Sequence, residues 1–368
     1  MTPPRAIRAK LPAAQGYRMP AEWEPHESTW LAWPHFRGDW PGKFEPIPWV
    51  YAEIVRNLAR HERVDLIVNS ERAEKRARAV LEQADALSDK VCFHRWRTDR
   101  VWTRDSGCVF LVPPADQREI HRDARLLGLH FQFNGWAKYP NYEFDEKVGG
   151  RMAKAAGARV VRPVSGDHRV VLEGGSIDVN GCGTVITTEE CLLSTTQQRN
   201  PPMDRVAYEQ LFADYFGVQS VIWLDSGIEG DDTHGHVDDI TRFVAPNTVV
   251  TMIEQDERSE NHADLHANLG RLKNARTSDG QKLEIVEIPM PRPVVFEGRQ
   301  LPASYANFYI ANGAVLVPVF NDPNDRVALN LLAELFPTRE IVPIYSGDLI
   351  WGFGALHCMT QQHPMAGS

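Results

Sequence analysis

Hydrophobic and polar positions recur along this chain in one repeating order. "GSIDVNGCGTVITT" (175–188) alternates about an Asn-Gly pair, which predicts two strands and a tight turn. "MDRVAYEQLFADYFG" (203–217) then places apolar residues at helical spacing and closes on glycine, and "QSVIWL" (219–224) reads as a buried strand. The order returns in "DITRFVAPNTVVTMI", the helix "SENHADLHANLGRLKNA" and the strand "KLEIVEIP". It returns again in "NFYIANGAVLVPVF", "NDRVALNLLAELFP" and "REIVPIYS". Upstream, "SGCVFLVP" and "LGLHFQFNGW" predict a wider hairpin before the helix "DEKVGGRMAKAAG" and the strand "ARVVRPV". The first unit is "STWLAWP", the helix "YAEIVRNLARH" and the strand "RVDLIVN".

Five units of hairpin, helix and strand, spaced by roughly 60–75 residues, suggest an α/β fold of units closed around a central axis. In such a ring the start of each hairpin faces the axis, so residues distant in sequence can meet there. No linker divides the chain, so residues 17–368 are expected to form one domain, with 1–16 loosely held.

Composition narrows the classes of function. The 368 residues include 43% hydrophobic positions, enough for a substantial core. The formal net charge of -9 disfavours nucleic-acid binding, and no basic stripe counters it. No apolar run reaches the roughly 18–20 residues that span a bilayer, and the N-terminus lacks a signal-peptide core, so a cytoplasmic protein is expected. The five cysteines, Cys92, Cys108, Cys182, Cys191 and Cys358, are odd in number and lack a C-x-x-C spacing, which argues against a disulfide framework or a zinc site.

Four polar stretches stand where units begin: "VWTRDSG" (101–107), "LEGGS" (172–176), "GDDTHGHVDD" (230–239) and "GALHC" (354–358). Each sets an ionisable group beside a small residue, which lets a ligand approach the backbone closely. Cys358 follows a glycine-rich run and precedes polar residues, poor surroundings for a packing cysteine. A thiol acts as a nucleophile only as the thiolate and needs a base or cation nearby. His236 is the candidate base, and Glu173 the carboxylate that would hold its ring. Asp105 and Asp238 remain. One thiol, one imidazole and three carboxylates suit a planar cation that takes bidentate partners, which is the donor geometry of guanidinium. The other four cysteines read as packing residues in or beside strands. His357 is expected to face away from its neighbour Cys358, as alternate residues of extended chain do. His234 and His236 form an H-x-H pair with no third nitrogen or sulfur ligand near in sequence, so no metal is expected.

"MPAEWEPHESTWLAWP", "VWTRDSG", "LEGGS", "TTEECLLSTTQQRNP", "DDTHGHVDDITRF" and "GALHCMTQQ" together resemble the agmatine deiminase family, which includes the Porphyromonas-type peptidylarginine deiminases. The resemblance spans about residues 17–364 and implies the five-bladed ββαβ propeller (pentein fold) of guanidino-group-modifying enzymes. By position it implies Cys358 as nucleophile, His236 as acid and base, and Glu173 as its partner. Asp105 and Asp238 would grip the guanidinium, Asp232 would lie near a substrate's distal amine, and Trp102 would pack on its alkyl chain. The implied reaction is hydrolysis of agmatine to N-carbamoylputrescine and ammonia through a thiouronium intermediate, without cofactor. Peptidylarginine, free arginine or another alkylguanidine, an amidino transfer on the same residues, and a non-catalytic propeller are the alternatives. The implied partner is a small cationic guanidino compound, with no nucleic acid or membrane, and a homo-oligomer is compatible with it. The sequence departs from the family pattern at Cys108, His234, Phe353 and Ala355, and in "FNGWAKYPN".

Overall fold

The computed structural model describes residues 10–114 and 126–366. Strand β1 (His26–Ala32) is followed by helix α1 (Ile47–Ala59), whose buried Ile47, Tyr51, Ile54, Val55 and Leu58 recur at helical spacing and form one apolar stripe. The chain returns in β2 (Arg63–Val68), parallel to β1. Helix α2 (Glu71–Gln83), capped by Ser70, and strand β3 (Val91–Arg95) then extend this sheet, an addition the sequence pattern did not flag.

The second unit is β4 (Val109–Leu111), β5 (Leu127–Leu129), α3 (Val148–Ala155) and β6 (Arg159–Val161). Its two hairpin strands are shorter than the pattern suggested, and their connection lies in 115–125, outside the described residues. The third is β7 (Asp178–Val179), β8 (Thr184–Thr188), α4 (Arg205–Phe216) and β9 (Ser220–Leu224). The fourth is β10 (Thr241–Ala245), β11 (Thr248–Ile253), α5 (Asn261–Asn274) and β12 (Glu284–Pro289). The fifth is β13 (Tyr309–Ile310), β14 (Ala314–Val319), α6 (Pro323–Leu335) and β15 (Glu340–Tyr345). Local signals mark the ends: Asp204 caps α4, Gly217 stops it in the left-handed region, and Asp322 with Asp325 forms a capping box on α6.

In each of these four units the first strand pairs antiparallel with the second, and the second pairs parallel with the third across the helix. The first unit completes the same pattern from the other end of the chain. The final strand, β16 (Gln361–Pro364), lies antiparallel on β1. The first unit therefore takes its missing strand from the C-terminus, which places residues just before β16 among the loops that open the other units.

Of the segment 1–16, residues 10–16 are described: Ala13–Gln15 make a 3-10 turn, and Leu11 packs on the apolar cluster around Phe212 and Phe216. Among the described residues no helix is long and apolar enough to cross a membrane.

Candidate active site

Each unit delivers one polar loop immediately before its first strand. Asp105 sits in a single helical turn, Thr103–Ser106, ahead of β4. Glu173 precedes the 3-10 turn Gly174–Ser176 ahead of β7. His236 and Asp238 flank the start of the turn Val237–Asp239 ahead of β10. Asn307 stands ahead of β13, and Cys358 ahead of β16.

Hydrogen bonds tie these loops to one another. Arg104 N donates to Cys358 O at 3.2 Å, and Gly175 N to Asp105 Oδ1 at 3.1 Å. Asn307 Nδ2 donates to Asp239 Oδ1 at 2.9 Å, while Asn307 Oδ1 accepts from His357 N at 3.0 Å. The loops at 173–176 and 236–239 meet around Gly175. A Cβ on Gly175 would lie 2.6 Å from His236 Nδ1, 3.0 Å from Asp238 Oδ2 and 3.1 Å from Asp105 Oδ1. Only glycine lets those three side chains converge.

The structure thus brings together Cys358, Asp105, Glu173, His236 and Asp238. The Cys358 sulfur is 3.7 Å from Asp238 Oδ2. His236 Nδ1 is 3.9 Å from both Asp105 Oδ1 and Asp238 Oδ1, and its Nε2 is 4.0 Å from Glu173 Oε2. All are buried, yet His236 Nδ1 and Nε2, Glu173 Oε2 and Asp238 Oδ1 find no hydrogen-bond partner among the described residues. Buried polar groups are nearly always paired, so a cluster of orphans this dense points to a polar ligand. Ligand-type atoms of Glu173, Cys191 and His236, and separately of Asp238, Asp239 and Cys358, lie within 4.8 Å of one another, so these two sets are where a cation could be held.

The electrostatics follow from burial and crowding of acids. Burial, then Asp238, Asp239 and Asp105, push the Cys358 thiol well above its ordinary range, opposed by the hydrogen bond from Asn307. Burial alone would lower the His236 imidazolium, but Asp105, Cys191 and Asp238 hold it well above the usual histidine range. Burial raises Asp105 to about 6 against the pull of His236. Burial would also raise Asp238, but His357 and His236 hold it below the usual carboxylate range. Asp239 is pushed well above that range by burial, Asp238 and Asp231.

A cleft of about 540 Å³ leads to the sulfur, lined by Trp102, Asp105, Trp136, Tyr139, Asp232, Phe353 and Cys358 among others. The glycines before Cys358 shape it. A Cβ on Gly354 would lie 2.7 Å from the Trp102 ring and 3.1 Å from Cys358 Cβ, and one on Gly352 would lie 2.7 Å from Trp40 Nε1. Asp232 reaches the cleft but is already paired with Lys138 at 2.7 Å and Arg299 at 3.3 Å.

Several expectations need correction. His357 does not face away from the site. Its Nδ1 lies 2.7 Å from Asp238 Oδ2 and its Nε2 2.8 Å from Glu22 Oε2. Residues 356–359 form a turn, so the alternation of extended chain does not apply. Cys182 is not a packing residue; it is exposed at the tip of the β7–β8 hairpin. Cys191 is buried as expected, but on the short helix Glu189–Leu193 with its sulfur beside Glu173 and His236.

Other partners were not anticipated. Asn307 Nδ2 donates to Cys358 Sγ at 3.1 Å, and Trp136 Nε1 to Asp105 Oδ2 at 2.9 Å. Arg199 Nε pairs with Glu173 Oε1 at 3.1 Å, both side chains fully buried. Glu22 binds Arg104, Arg242 and His357 beneath the site. Asn307 alone carried a legible signal, since it precedes a unit's first strand as the other four loops do. Glu22, Arg199 and Trp136 fall within stretches quoted above, but no pairing of charge with glycine singles them out there.

The geometry defines a class: an α/β protein in which a thiol, an imidazole and several acids surround a socket for a planar cation. The model of the Porphyromonas-type peptidyl-arginine deiminase family matches residues 18–364. An agmatine deiminase of Pseudomonas aeruginosa (strain UCBPP-PA14) is 34% identical over 376 residues, covering 96% of this chain and 97% of that one. Among solved structures, the agmatine deiminase of Enterococcus faecalis superposes with a TM-score of 0.87 at 28% identity, covering 97% of this chain and 98% of that one. An agmatine deiminase of C. jejuni with substrate bound superposes with a TM-score of 0.82 at 28% identity, covering 96% of this chain and 97% of that one. The chain belongs to the Porphyromonas-type peptidyl-arginine deiminase family and is a hydrolase acting on guanidino C–N bonds.

Proposed function

We propose that this chain is a deiminase of small alkylguanidines that works through a covalent bond to Cys358, with agmatine as the reference substrate on the strength of its relatives' names. The observation that carries this reading is the set of orphaned buried atoms on His236, Glu173 and Asp238 beside a thiol. A guanidinium ion offers N–H donors in one plane to Asp105 and Asp238. Its charge also opposes the acids that keep Cys358 protonated, so substrate helps to generate its own nucleophile.

In this reading the Cys358 thiolate attacks the guanidinium carbon, forming a C–S bond and a tetrahedral adduct. His236 gives its proton to one terminal nitrogen, the C–N bond breaks and ammonia leaves. The resulting S-alkylthiouronium remains bound to Cys358. A water, deprotonated by His236, adds to the same carbon, the C–S bond breaks, the remaining hydroxyl proton passes to solvent or to the released ammonia, and the ureido product departs with the thiolate restored. Agmatine would give N-carbamoylputrescine. Glu173, anchored by Arg199, orients His236. Asp105 and Asp238 stabilise the charge of the adduct. No step is assigned to a metal or organic cofactor.

We further read the five units as blades of one pseudosymmetric propeller, closed where β16 joins β1. The pre-strand loops would then line its axis. We take residues 17–368 as its single domain, working in the cytoplasm.

The test is release of ammonia from a panel of agmatine, arginine, a peptidylarginine and small guanidines, with no second amine added. Ammonia and a ureido product from at least one, lost in Cys358→Ser with the fold intact, support the reading. A product formed only when an acceptor amine is supplied would indicate amidino transfer instead.

A further inference from the structure

The outer part of the cleft carries a cluster that hydrolysis itself does not use. Asp232 Oδ1 accepts from Lys138 Nζ at 2.7 Å and from Arg299 Nη2 at 3.3 Å, and Asp232 Oδ2 accepts from Tyr139 Oη at 2.6 Å. The Asp232 side chain is 8% exposed, so these partners cover it almost completely. Among the described residues neither Lys138 nor Arg299 pairs with another carboxylate.

Arg299 is held from its other side. Its guanidinium carbon lies 4.0 Å from the centroid of the Phe353 ring. Phe353 has φ 66, a left-handed backbone that suits glycine and strains a phenylalanine. The strained residue thus presents its ring to the cation that covers Asp232. Arg100 lines the cleft itself and stacks 4.2 Å over the Tyr139 ring, with Asp39 as its partner, whereas Lys138 and Arg299 line the adjoining groove and meet the cleft at Asp232, which borders both. The Asp232 carboxylate, which borders the cleft, is thus met by two cations, Lys138 and Arg299, while Asp39 is met by Arg100.

This arrangement disfavours a substrate whose tail ends in an ammonium. Such a tail would have to displace Lys138 or Arg299 from Asp232 and then sit among like charges. A carboxylate meets the opposite situation. Lys138 and Arg299 are half-exposed, and each has spare N–H donors, since an ammonium carries three and a guanidinium five.

We propose that the outer cleft selects guanidino substrates whose tail ends in a carboxylate over those whose tail ends in an ammonium, with Lys138 and Arg299 as the specificity-determining residues and Phe353 positioning Arg299. The ligand class is an ω-guanidino carboxylic acid. The inference rests on the guanidine-hydrolase reading and specifies its substrate.

The experiment compares kcat/KM for three guanidines of similar length: agmatine, 4-guanidinobutyrate and an uncharged n-alkylguanidine. The wild-type protein is expected to prefer 4-guanidinobutyrate over agmatine by about tenfold or more, mainly through KM, with the uncharged compound between them. The preference should shrink as salt is raised, because the tail subsite is partly exposed. The double variant Lys138→Met with Arg299→Met should uncover Asp232 and reverse the order. Phe353→Gly, which removes both the strain and the stacking ring, should move it in the same direction by less. A wild-type preference for agmatine, or a ratio unmoved by salt and by the double variant, overturns the inference and leaves the hydrolase reading standing. Ammonia from arginine or a peptidylarginine but from none of these three overturns the inference alone, and ammonia from no guanidine of the wider panel overturns both.

Discussion

Asn307 Nδ2 lies 3.1 Å from the sulfur of Cys358, and the same amide holds Asp239 Oδ1 at 2.9 Å. Its carbonyl oxygen accepts from the backbone N–H groups of His357 at 3.0 Å and Cys358 at 3.3 Å, so the amide cannot rotate away. Every carboxylate near the sulfur opposes thiolate formation, whereas this N–H favours it. Replacing Asn307 with alanine should lower kcat by about 10–100-fold, the worth of one hydrogen bond to a charged group. It should also slow alkylation of Cys358 at pH 8. An Asn307→Ala variant with wild-type alkylation kinetics would show that the amide does not stabilise the thiolate.

The pH profile should separate free from occupied enzyme. Cys358 must lose its proton to react, and burial with Asp238, Asp239 and Asp105 holds its pKa well above the ordinary 9.0 when the site is empty. A bound guanidinium adds positive charge beside the sulfur and pulls that pKa down. The profile of kcat/KM, which reports free enzyme, should still be rising above pH 9, whereas kcat should level off at lower pH. Superimposable profiles would contradict a substrate-assisted thiolate.

Gly175→Ala should abolish turnover without unfolding the protein. The added methyl would lie 2.6 Å from His236 Nδ1, so the imidazole, Asp105 and Asp238 could no longer converge. A loss of at least about 100-fold in kcat/KM is expected for a displacement near one ångström, with an unchanged circular dichroism spectrum. Substantial activity in this variant would mean that the convergence at Gly175 is not needed for catalysis.

Arg199→Met should be destabilising. It leaves the Glu173 carboxylate, whose side chain is 0% exposed, without its guanidinium. Removing one partner of a fully buried pair costs about 3–5 kcal/mol, and the urea midpoint should fall accordingly. A midpoint equal to that of the parent would indicate that Glu173 is held in some other way.

What could be read from the sequence was local, and what escaped depended on distant partners. The hairpins turning at Asn180-Gly181 and Asn312-Gly313, and the stripe of α1, are written in short periodicities that each segment enforces on itself. The pairing of β16 with β1 joins opposite ends of the chain and leaves no local mark. Helix α2 carried its own signals, the Ser70 cap and an acidic first turn, and simply broke the repeat being followed. In the site, the ionisable residues beside glycines stood out because glycine next to charge is uncommon in a core. Trp136, Arg199 and Glu22 are ordinary residues in sequence and gain their meaning from contacts across units, whereas Asn307 was marked only by its place ahead of a first strand. His357 was misread because a turn was taken for extended chain.

The account turns on a covalent bond between Cys358 and the substrate carbon. The direct measurement is intact-protein mass spectrometry after acid quench of a single turnover with a reactive alkylguanidine, followed by peptide mapping. The expected result is a transient species heavier than the free enzyme by the substrate less one ammonia, located on Cys358. Release of ammonia during the same turnover with no such species at any quench time, and with undiminished turnover in Cys358→Ala, would contradict it.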